Sequence, residues 1–284
     1  MTQLFTDTSA NLPVEIIDEY GIEVIPFSYT IDGVEYIPER EFDGKAFYAA
    51  MRAEVKTSMV NTGTFIERFK ATLDAGRDVL YIGMSGGISG TANAALMAKQ
   101  ELDEEYPDRK IVVIDTLAAS LGEGMFVIKA AEQLKDGASL DAIEEDIRAQ
   151  VPSMCQSFTV DDLKYLKKTG RVSGAAAIIG NVLGIHPILV GDYEGKIVVK
   201  SKVRGMKRTL AALAERYAEL VLNKAETIGI AHADNEEGKE YLVQRLRDKG
   251  LTGKCLSVCY EPVTGSHVGP GTVALFFFGT DRMG

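Results

Sequence analysis

The chain of 284 residues contains little cysteine, no excess of positive charge and no long apolar run. Its three cysteines, Cys155, Cys255 and Cys259, are too few and too odd in number for a disulfide framework, which favours a reducing compartment. The 31 basic and 41 acidic residues give a net charge of −10, which argues against nucleic acid or an anionic membrane as partner. No stretch reaches the roughly 18 apolar residues of a membrane-spanning helix, and the first residues do not resemble a signal peptide. We therefore expect a cytoplasmic protein without stable membrane insertion.

The signatures of nucleotide and metal sites are also missing from the sequence. Neither G-x-x-x-x-G-K-[ST] nor G-x-G-x-x-G follows a predicted strand. The three histidines, His186, His232 and His267, are scattered, and no Cys-x-x-Cys pair exists. We expect no cofactor and no metal, and we interpret Cys255 and Cys259 as core residues.

The pattern of apolar residues predicts two domains. In the first half, strands alternate with helices, such as a helix at 64–75 and a buried strand at 78–84 (DVLYIGM), which predicts a parallel sheet with helices on its faces. The second half is typical of an α+β domain with antiparallel pairings. We place the boundary near 151–155, giving domains 1–153 and 154–284. In the helix at 64–75, Phe65, Phe69 and Leu73 recur at i, i+4 and i+8 and so share one apolar face. Further predicted elements are strands at 22–29 and 255–263, a hairpin turn at 32–33 (Asp-Gly), a helix at 174–183 and a long helix within 203–223.

Three polar loops carry the candidate chemistry. The first, residues 56–64 (KTSMVNTGT), precedes a predicted helix, and Thr62 or Thr64 is equally well explained as its cap. Thr57 and Ser58 lie too far from the helix start to be caps, so these two hydroxyl residues need another role.

The second polar loop, residues 83–91 (GMSGGISGT), follows a predicted strand and precedes a helix. Its glycines allow the backbone to approach a ligand, and the free N–H groups of a helix start favour an anion. Ser89 is placed to donate to a carboxylate or phosphate there, or it only caps the helix. Ligands of open α/β sheets bind at the carboxyl ends of strands, which favours the first role.

The third polar loop, residues 265–272 (GSHVGPGT), is predicted to be a glycine-rich turn that holds His267. A lone histidine is more often structural than functional. In a loop that does not need the ring for packing, the two roles are equal alternatives.

An enzymatic alternative comes from the second loop, because residues 83–87 fit the G-x-S-x-G pattern around Ser85. Asp115 and His267 would complete the Ser–Asp–His order of an α/β-hydrolase. The context is poor, since residues 86–90 separate Ser85 from the helix that should begin directly after it. A serine hydrolase stays as the alternative function.

A basic segment at 200–208 stands out in this acidic chain, and a second cationic loop lies at 167–171. The plain explanation is a solvated strand end and helix start. Cations at a helix N-terminus oppose the helix dipole, however, so a bound anion or an acidic partner would relieve the conflict. A third alternative is therefore an interaction protein that uses the basic side chains Lys200, Lys202, Arg204, Lys207 and Arg208.

Taken together and in order, these segments resemble the DegV family of bacterial fatty-acid-binding proteins, which includes the FakB carrier subunits of fatty acid kinase. The resemblance implies an α/β protein with the two-domain DegV-like (EDD) fold, in which an N-terminal parallel-sheet domain and a C-terminal α+β domain hold a long-chain fatty acid between them. The matching segments span nearly the whole chain: 6–13 (TDTSANLP), 56–58 (KTS), 88–91 (ISGT), 113–116 (VIDT), 163–173 (LKYLKKTGRVS), 202–205 (KVRG) and 267–272 (HVGPGT).

The resemblance also implies the site. The carboxylate of the acid is held by Thr57, Ser89 and His267, and its tail lies in an apolar tunnel. Uncharged donors of this kind can satisfy a carboxylate without a buried lysine or arginine. The remaining residues expected at the ligand are Ser58, Ser85 and Gly90.

By the same resemblance the protein is a carrier rather than an enzyme. A separate kinase subunit is expected to convert the bound acid to an acyl phosphate, with Arg171, Arg204 and Lys207 facing the kinase or the phosphoryl group. Two departures touch the pocket: residues 59–61 (MVN) stand where the family has Gln-Pro-Ser/Thr, and residues 85–86 (SG) stand where it has a Ser-Ser pair. The identity of the ligand and the geometry of its carboxylate therefore do not follow from the resemblance.

Overall fold

A computed structural model describes residues 1–38, 42–51, 55–172 and 184–284. Contacts divide these residues into unit 1 (1–38 and 55–151) and unit 2 (42–51 and 152–284). The helix predicted at 174–183 lies outside the described residues. Among the described residues, no helix is both long and apolar enough to cross a bilayer.

The strands alternate with helices in unit 1 and cluster in unit 2. In chain order they are β1 (Thr2–Asp7), β2 (Glu23–Ile25), β3 (Ser28–Ile31), β4 (Val34–Tyr36), β5 (Val55–Ser58), β6 (Asp78–Gly83), β7 (Ile111–Asp115), β8 (Met154–Thr159), β9 (Ile185–Gly191), β10 (Ile197–Arg204), β11 (Ile228–His232), β12 (Cys255–Cys259) and β13 (Val273–Phe278).

Two short 3-10 turns, Thr8–Ala10 and Val151–Ser153, accompany the helices. The α-helices are α1 (Val14–Tyr20), α2 (Gly44–Ala50), α3 (Thr62–Asp74), α4 (Thr91–Glu105), α5 (Leu121–Lys135), α6 (Leu140–Gln150), α7 (Lys164–Thr169), α8 (Met206–Leu220), α9 (Glu236–Asp248) and α10 (Pro262–Val268).

Unit 1 is built on a four-stranded parallel sheet in the order β2-β1-β6-β7, as the alternating pattern predicts. Parallel sheets are covered on both faces, and β6 is accordingly a nearly continuous apolar run. The predicted apolar face of α3 is confirmed, because Phe65, Phe69 and Leu73 are all buried. The ring of Phe65 meets the ring of Tyr81 on β6 with 4.9 Å between centroids.

A second, antiparallel sheet of unit 1 has the order β4-β3-β5. The single strand predicted at 22–29 is wrong, since the chain breaks at Pro26 and Phe27 into β2 and β3, which join different sheets. Proline lacks the N–H that a continued ladder needs. The predicted hairpin is confirmed, with Asp32 at φ 50° and Gly33 at φ 84°, as a type I′ turn requires.

Unit 2 contains a six-stranded sheet in the order β10-β9-β8-β13-β11-β12, which is antiparallel except for the β11–β12 pair. The α+β character predicted for the second half is therefore confirmed. One face packs on α8 and α9 through a core that includes Cys155, Leu213, Tyr217, Leu242 and Phe277. Every residue of β13 (VALFFF) is buried, so this strand is covered on both faces.

Helix α2 groups with unit 2, although the division into 1–153 and 154–284 assigns it to the first domain. Its Tyr48 hydroxyl donates to the carbonyl of Tyr260 at 2.8 Å. A Cβ on Gly44 would lie 2.6 Å from the sulfur of Cys259, so this helix approaches β12 closely. Such distant contacts leave no trace in local sequence patterns.

The long helix predicted within 203–223 is confirmed as α8, which begins after β10 ends at Arg204. Two further predictions for unit 2 are corrected. Strand β12 ends at Cys259, and helix α10 follows, capped by the Glu261 carboxylate and started by Pro262. Of the cysteines interpreted as core, Cys255 and Cys259 are only half-buried, since β12 is an edge strand.

Candidate functional site

The carboxyl ends of β1, β6 and β7 meet at one edge of the parallel sheet, where ligands of such sheets bind. Asp7 ends β1, and its carboxylate accepts hydrogen bonds from the Ser9 N–H at 2.9 Å, the Ser9 hydroxyl at 2.6 Å and the Tyr81 hydroxyl at 2.6 Å. It also accepts a longer bond from the N–H of Met84, at 3.4 Å. Burial raises the pKa of Asp7. The Asp7 carboxyl group therefore links the end of β1 to β6 and to the loop that follows β6.

The β6–α4 loop is held in place by hydrogen bonds to the loop after β7. The N–H of Ser85 donates to the carbonyl of Ala118 at 2.7 Å, and the N–H of Gly86 donates to Asp115 Oδ2 at 2.9 Å. Within the loop, the N–H of Ser89 donates to the carbonyl of Ser85 at 3.1 Å. A Cβ on Gly86 would lie 2.7 Å from Asp115 Oδ2, so this position needs glycine.

The hydroxyl of Ser89 bonds to the first residue of α4, whose N-cap is Gly90, and stays partly exposed in the loop. Its Oγ accepts from the N–H of Thr91 at 3.3 Å and lies 3.0 Å from Thr91 Oγ1. Because Thr91 can donate its hydroxyl proton to Ser89, the Ser89 proton can go to a ligand. The two roles that the sequence left as alternatives are therefore compatible. Thr91, which is fully buried, is a supporting residue that the sequence analysis missed.

The first two polar loops approach each other closely at Gly90. A Cβ at this position would lie 2.7 Å from the sulfur of Met59, which follows β5. The segment that carries Thr57 and the loop that carries Ser89 thus meet within unit 1. Met59 is 52% exposed, and its other side faces a cavity of about 340 Å³ that Ser28 and Glu35 also line.

Thr57 and Ser58 do not share a face of the sheet. Thr57 lies opposite Tyr29 and Ser58 lies opposite Ser28 on the antiparallel neighbour β3. Successive residues of a strand point to opposite faces, and Thr57 is half-buried whereas Ser58 is exposed. A ligand that contacts Thr57 on one face of the sheet therefore does not contact Ser58, which projects from the other face.

Ser85 does not have the geometry of a hydrolase nucleophile. Its side chain is fully buried, and its Oγ accepts the N–H of Gly87 at 3.0 Å. A nucleophile elbow exposes its serine where strand turns directly into helix, but α4 begins only at Thr91. The Asp115 carboxylate accepts hydrogen bonds from backbone N–H groups, including that of Leu117 at 2.8 Å. The structure gives no support to the hydrolase alternative.

In unit 2, His267 lies on α10 and not in the loop that the sequence predicts. Burial, together with the positive charge of Arg171, lowers the pKa of His267 to about 4. The imidazole is therefore neutral near pH 7, and a neutral imidazole carries one N–H donor. Because the charge of Arg171 acts on the His267 ring, the two side chains lie near each other. Two of the predicted site residues are therefore neighbours.

Two segments of the family resemblance pack on each other in unit 2, through residues 163–172 and 267–272. A Cβ on Gly269 would lie 2.2 Å from the ring of Tyr165 on α7, and Gly269 has φ +80°. Arg171 follows α7, where its Nη1 donates to the carbonyl of Thr169 at 2.6 Å. Glycine at 269 thus lets α7 hold Arg171 beside α10.

The other two predicted partner-facing cations lie at the β10–α8 junction. Arg204 ends β10 and is exposed. Lys207 Nζ lies 3.3 Å from Glu237 Oε1 and 5.9 Å from the ring centroid of Tyr241. This exposed ion pair contributes little to stability, so Lys207 can exchange Glu237 for another partner.

Across the described ranges, no group of three or more His, Cys, Asp or Glu side chains is arranged to hold a metal ion. Within unit 1 the structure brings together hydroxyls and backbone N–H groups, and within unit 2 it brings together one neutral imidazole and one guanidinium.

Fold and site together define a two-unit α/β protein whose polar loops present mainly uncharged hydrogen-bond donors. Residues 1–280 match the family model described as an uncharacterised protein of the DegV family. The chain belongs to the DegV family.

Related sequences and solved structures match this chain over nearly its full length. A DegV domain-containing protein of Clostridium perfringens is 38% identical over 284 residues, covering 98% of each chain. The structure of a fatty-acid-binding DegV family protein from Streptococcus agalactiae has a TM-score of 0.87 at 33% identity, covering 97% of this chain and 98% of that one. A Thermus thermophilus DegV family protein, described for its fatty acid binding, also gives 0.87 at 29% identity, covering 98% and 99%.

Proposed function

We propose that this protein binds one long-chain fatty acid, with the carboxylate held by Thr57, Ser89 and His267. The observation that carries the proposal is the full-length similarity to the fatty-acid-binding protein of Streptococcus agalactiae, at a TM-score of 0.87. The positions of the candidate donors in each unit agree with it.

The first two donors belong to unit 1. Thr57 and Ser89 lie on segments that meet where Met59 contacts Gly90. The Ser89 hydroxyl, beside the start of α4, suits an anion because the helix dipole adds a favourable potential there. Charge-assisted bonds from such donors are stronger than neutral ones.

The third donor, His267, acts as a neutral group. Its pKa of about 4 leaves the ring uncharged at physiological pH, so it donates through one N–H. Arg171 supplies positive charge nearby. A fatty carboxylate stays ionised in these surroundings, since both groups favour its charged form.

The tail is proposed to lie in an apolar tunnel, where each buried methylene contributes about 0.8 kcal/mol. Ordering the chain offsets part of that gain. A long chain therefore dominates the affinity, and the polar donors fix the position of the head group.

We further propose that the bound acid is presented to a separate kinase subunit. In that step a carboxylate oxygen attacks the terminal phosphorus of a nucleoside triphosphate, the bond to the diphosphate breaks, and an acyl phosphate forms. Arg171 and Arg204 would neutralise the transferring group, and Lys207 would exchange Glu237 for the partner. The protein itself is then a carrier and not an enzyme.

Native mass spectrometry of protein purified without delipidation tests the binding proposal. We expect an added mass that matches a fatty acid, and its occupancy should fall in Ser89→Ala and in His267→Ala. Ser257→Ala, at an exposed position of β12, is the matched control. Delipidated protein that takes up no fatty acid would overturn the proposal.

The kinase proposal needs a separate experiment, because binding alone does not require it. Loaded protein is mixed with a fatty acid kinase subunit and a nucleoside triphosphate, and acyl phosphate is trapped with hydroxylamine. We expect Arg204→Ala to reduce the hydroxamate while fatty acid occupancy is retained, and Arg171→Ala to reduce the hydroxamate formed per bound fatty acid. Equal hydroxamate from both variants and the wild type would contradict the roles of these arginines.

A further inference from the structure

The three-stranded sheet of unit 1 has one apolar face, and Thr57 belongs to it. Tyr29 lies opposite Tyr36 on β4 and opposite Thr57 on β5. Directly opposite residues of antiparallel strands project from the same face. With the neighbouring row, the Thr57 face consists of Tyr36, Tyr29, Thr57, Val34, Ile31 and Val55.

The opposite face of the same sheet is polar, which makes the sheet amphipathic. Its members are Ser28, Thr30, Glu35, Lys56 and Ser58. In a sheet that alternates in this way, the polar face is exposed to solvent and the apolar face packs against another apolar surface. The helices of unit 1 make their main contacts with the four-stranded sheet and with one another.

The outer strand leaves part of the Thr57 face accessible. Val34 is 55% exposed and Tyr36 is 43% exposed. The rings of Tyr29 and Tyr36 stack with centroids 5.4 Å apart and planes 20° apart, which gives a flat wall of two aromatic rings. Exposed apolar residues that are contiguous mark binding surfaces more often than isolated ones do.

The arrangement of this face matches one kind of ligand. Thr57 provides an aliphatic hydroxyl at one end of a row, and the two rings extend from it across two strand spacings, about 10 Å. The adjacent row is purely aliphatic. An amphiphile with its acid group at Thr57 would therefore lay its first methylenes along the rings.

We infer that the Thr57 face is the wall against which the fatty acid's methylenes nearest the carboxylate lie, with Tyr29 and Tyr36 as ligand contacts. The inference rests on the proposed function, because it takes Thr57 as a carboxylate donor. It adds two residues that lie outside every segment of the family resemblance. The occupant of the face is thus the acyl chain and not a second copy of the protein.

A single tryptophan can report this contact, because the chain contains none. Tyr36→Trp places the probe on the Thr57 face, and Tyr193→Trp is a control on an exposed turn of unit 2, where Tyr193 is 62% exposed. Each variant is titrated with stearic acid that carries a nitroxide at carbon 5 or at carbon 16. We expect strong quenching of Tyr36→Trp by the carbon-5 label, at least twofold weaker quenching by the carbon-16 label, and little quenching of Tyr193→Trp.

Native mass spectrometry of the same samples separates the possible failures. If the labelled acids are bound but quench both variants equally, the inference is wrong and the proposed function stands. If neither labelled nor unlabelled acid binds, the proposed function itself fails. A Tyr36→Trp signal that responds to protein concentration and not to the acid would show self-association on this face and overturn the inference.

Affinity measurements provide a second test that does not depend on a label. Tyr36→Ala removes half of the aromatic wall and should weaken fatty acid binding by about tenfold, whereas Tyr36→Phe should retain it because only the ring is used. Tyr193→Ala should have no effect. Equal affinity of Tyr36→Ala and the wild type would contradict the inference.

Discussion

Asp7 and Glu123, which are 116 positions apart in the chain, share one hydroxyl: Ser9 Oγ lies 2.6 Å from Asp7 Oδ1 and 2.5 Å from Glu123 Oε2. All three side chains are fully buried. A hydroxyl has one proton, so only one of these contacts can be donated by Ser9, and the other needs a proton on a carboxyl group. One of the two carboxyl groups therefore holds a proton in the folded protein.

This pair makes the stability of the fold depend on pH. Burial raises the pKa of Asp7 above its ordinary value, so the folded protein holds a proton that the unfolded chain releases. The stabilisation is complete below the ordinary carboxyl range and is lost as the pH rises through the raised pKa. We expect the free energy of unfolding to fall with rising pH, and to fall less in Glu123→Gln, which can donate to Ser9 without a second acid.

Urea unfolding between pH 5 and pH 8.5 measures this effect. Asp108→Asn, at an exposed position, is the control and should follow the wild-type curve. A Glu123→Gln curve parallel to the wild type over the whole range would show that Glu123 has no part in the proton uptake.

The close packing of α7 on α10 predicts a sensitive glycine. In Gly269→Ala the new Cβ would meet the Tyr165 ring at 2.2 Å, and the backbone has φ +80°, which disfavours any side chain. Overpacking and strain together should reduce the free energy of unfolding by about 3 kcal/mol. Gly137→Ala has φ +84° with no atom within 4 Å of the new Cβ, so it isolates the strain alone, about 1 kcal/mol. Similar losses in the two variants, measured by urea unfolding, would contradict the packing argument.

Regular periodicity made much of the fold predictable. The i, i+4, i+8 spacing of Phe65, Phe69 and Leu73 identified the buried face of α3 without any knowledge of its neighbours. The hairpin at Asp32 and Gly33 was equally clear, because few residues tolerate positive φ at both central positions. These features depend on short stretches of chain, which is why sequence patterns show them.

Features that depend on distant partners could not be predicted in the same way. The Glu261 cap converts a predicted strand end and glycine-rich turn into α10, and so moves His267 from a loop to a helix. The separation of Thr57 from Ser58 requires the pairing of β5 with β3. The connection of Asp7 to Glu123 through the Ser9 hydroxyl requires contact between residues far apart in unit 1.

The alternation along β5 gives a sharp test with adjacent residues. Thr57→Val removes the hydroxyl from the apolar face at nearly constant volume and should lower fatty acid affinity by about tenfold, the cost of one charge-assisted hydrogen bond. Ser58→Ala removes a hydroxyl from the opposite, exposed face and should leave affinity unchanged. Competition against a fluorescent fatty acid measures both. Equal losses would mean that the ligand does not approach from the Thr57 face.

The depressed pKa of His267 predicts which pH range leaves binding unchanged. Because burial and Arg171 lower that pKa to about 4, the ring stays neutral between pH 6 and pH 8, and fatty acid affinity should show no step from His267 there.

The effect of His267 on the stability of the fold has the opposite sign to that of Asp7. The unfolded chain takes up a proton near pH 6.5, so stability is lost as the pH falls from 6.5 toward 4. NMR titration of the His267 ring protons measures the pKa directly. In Arg171→Gln the pKa of His267 should rise, since a positive charge is removed, and should stay below 6.5, since the ring is still buried. A midpoint near 6.5 in the wild type would contradict a neutral, buried donor at this position.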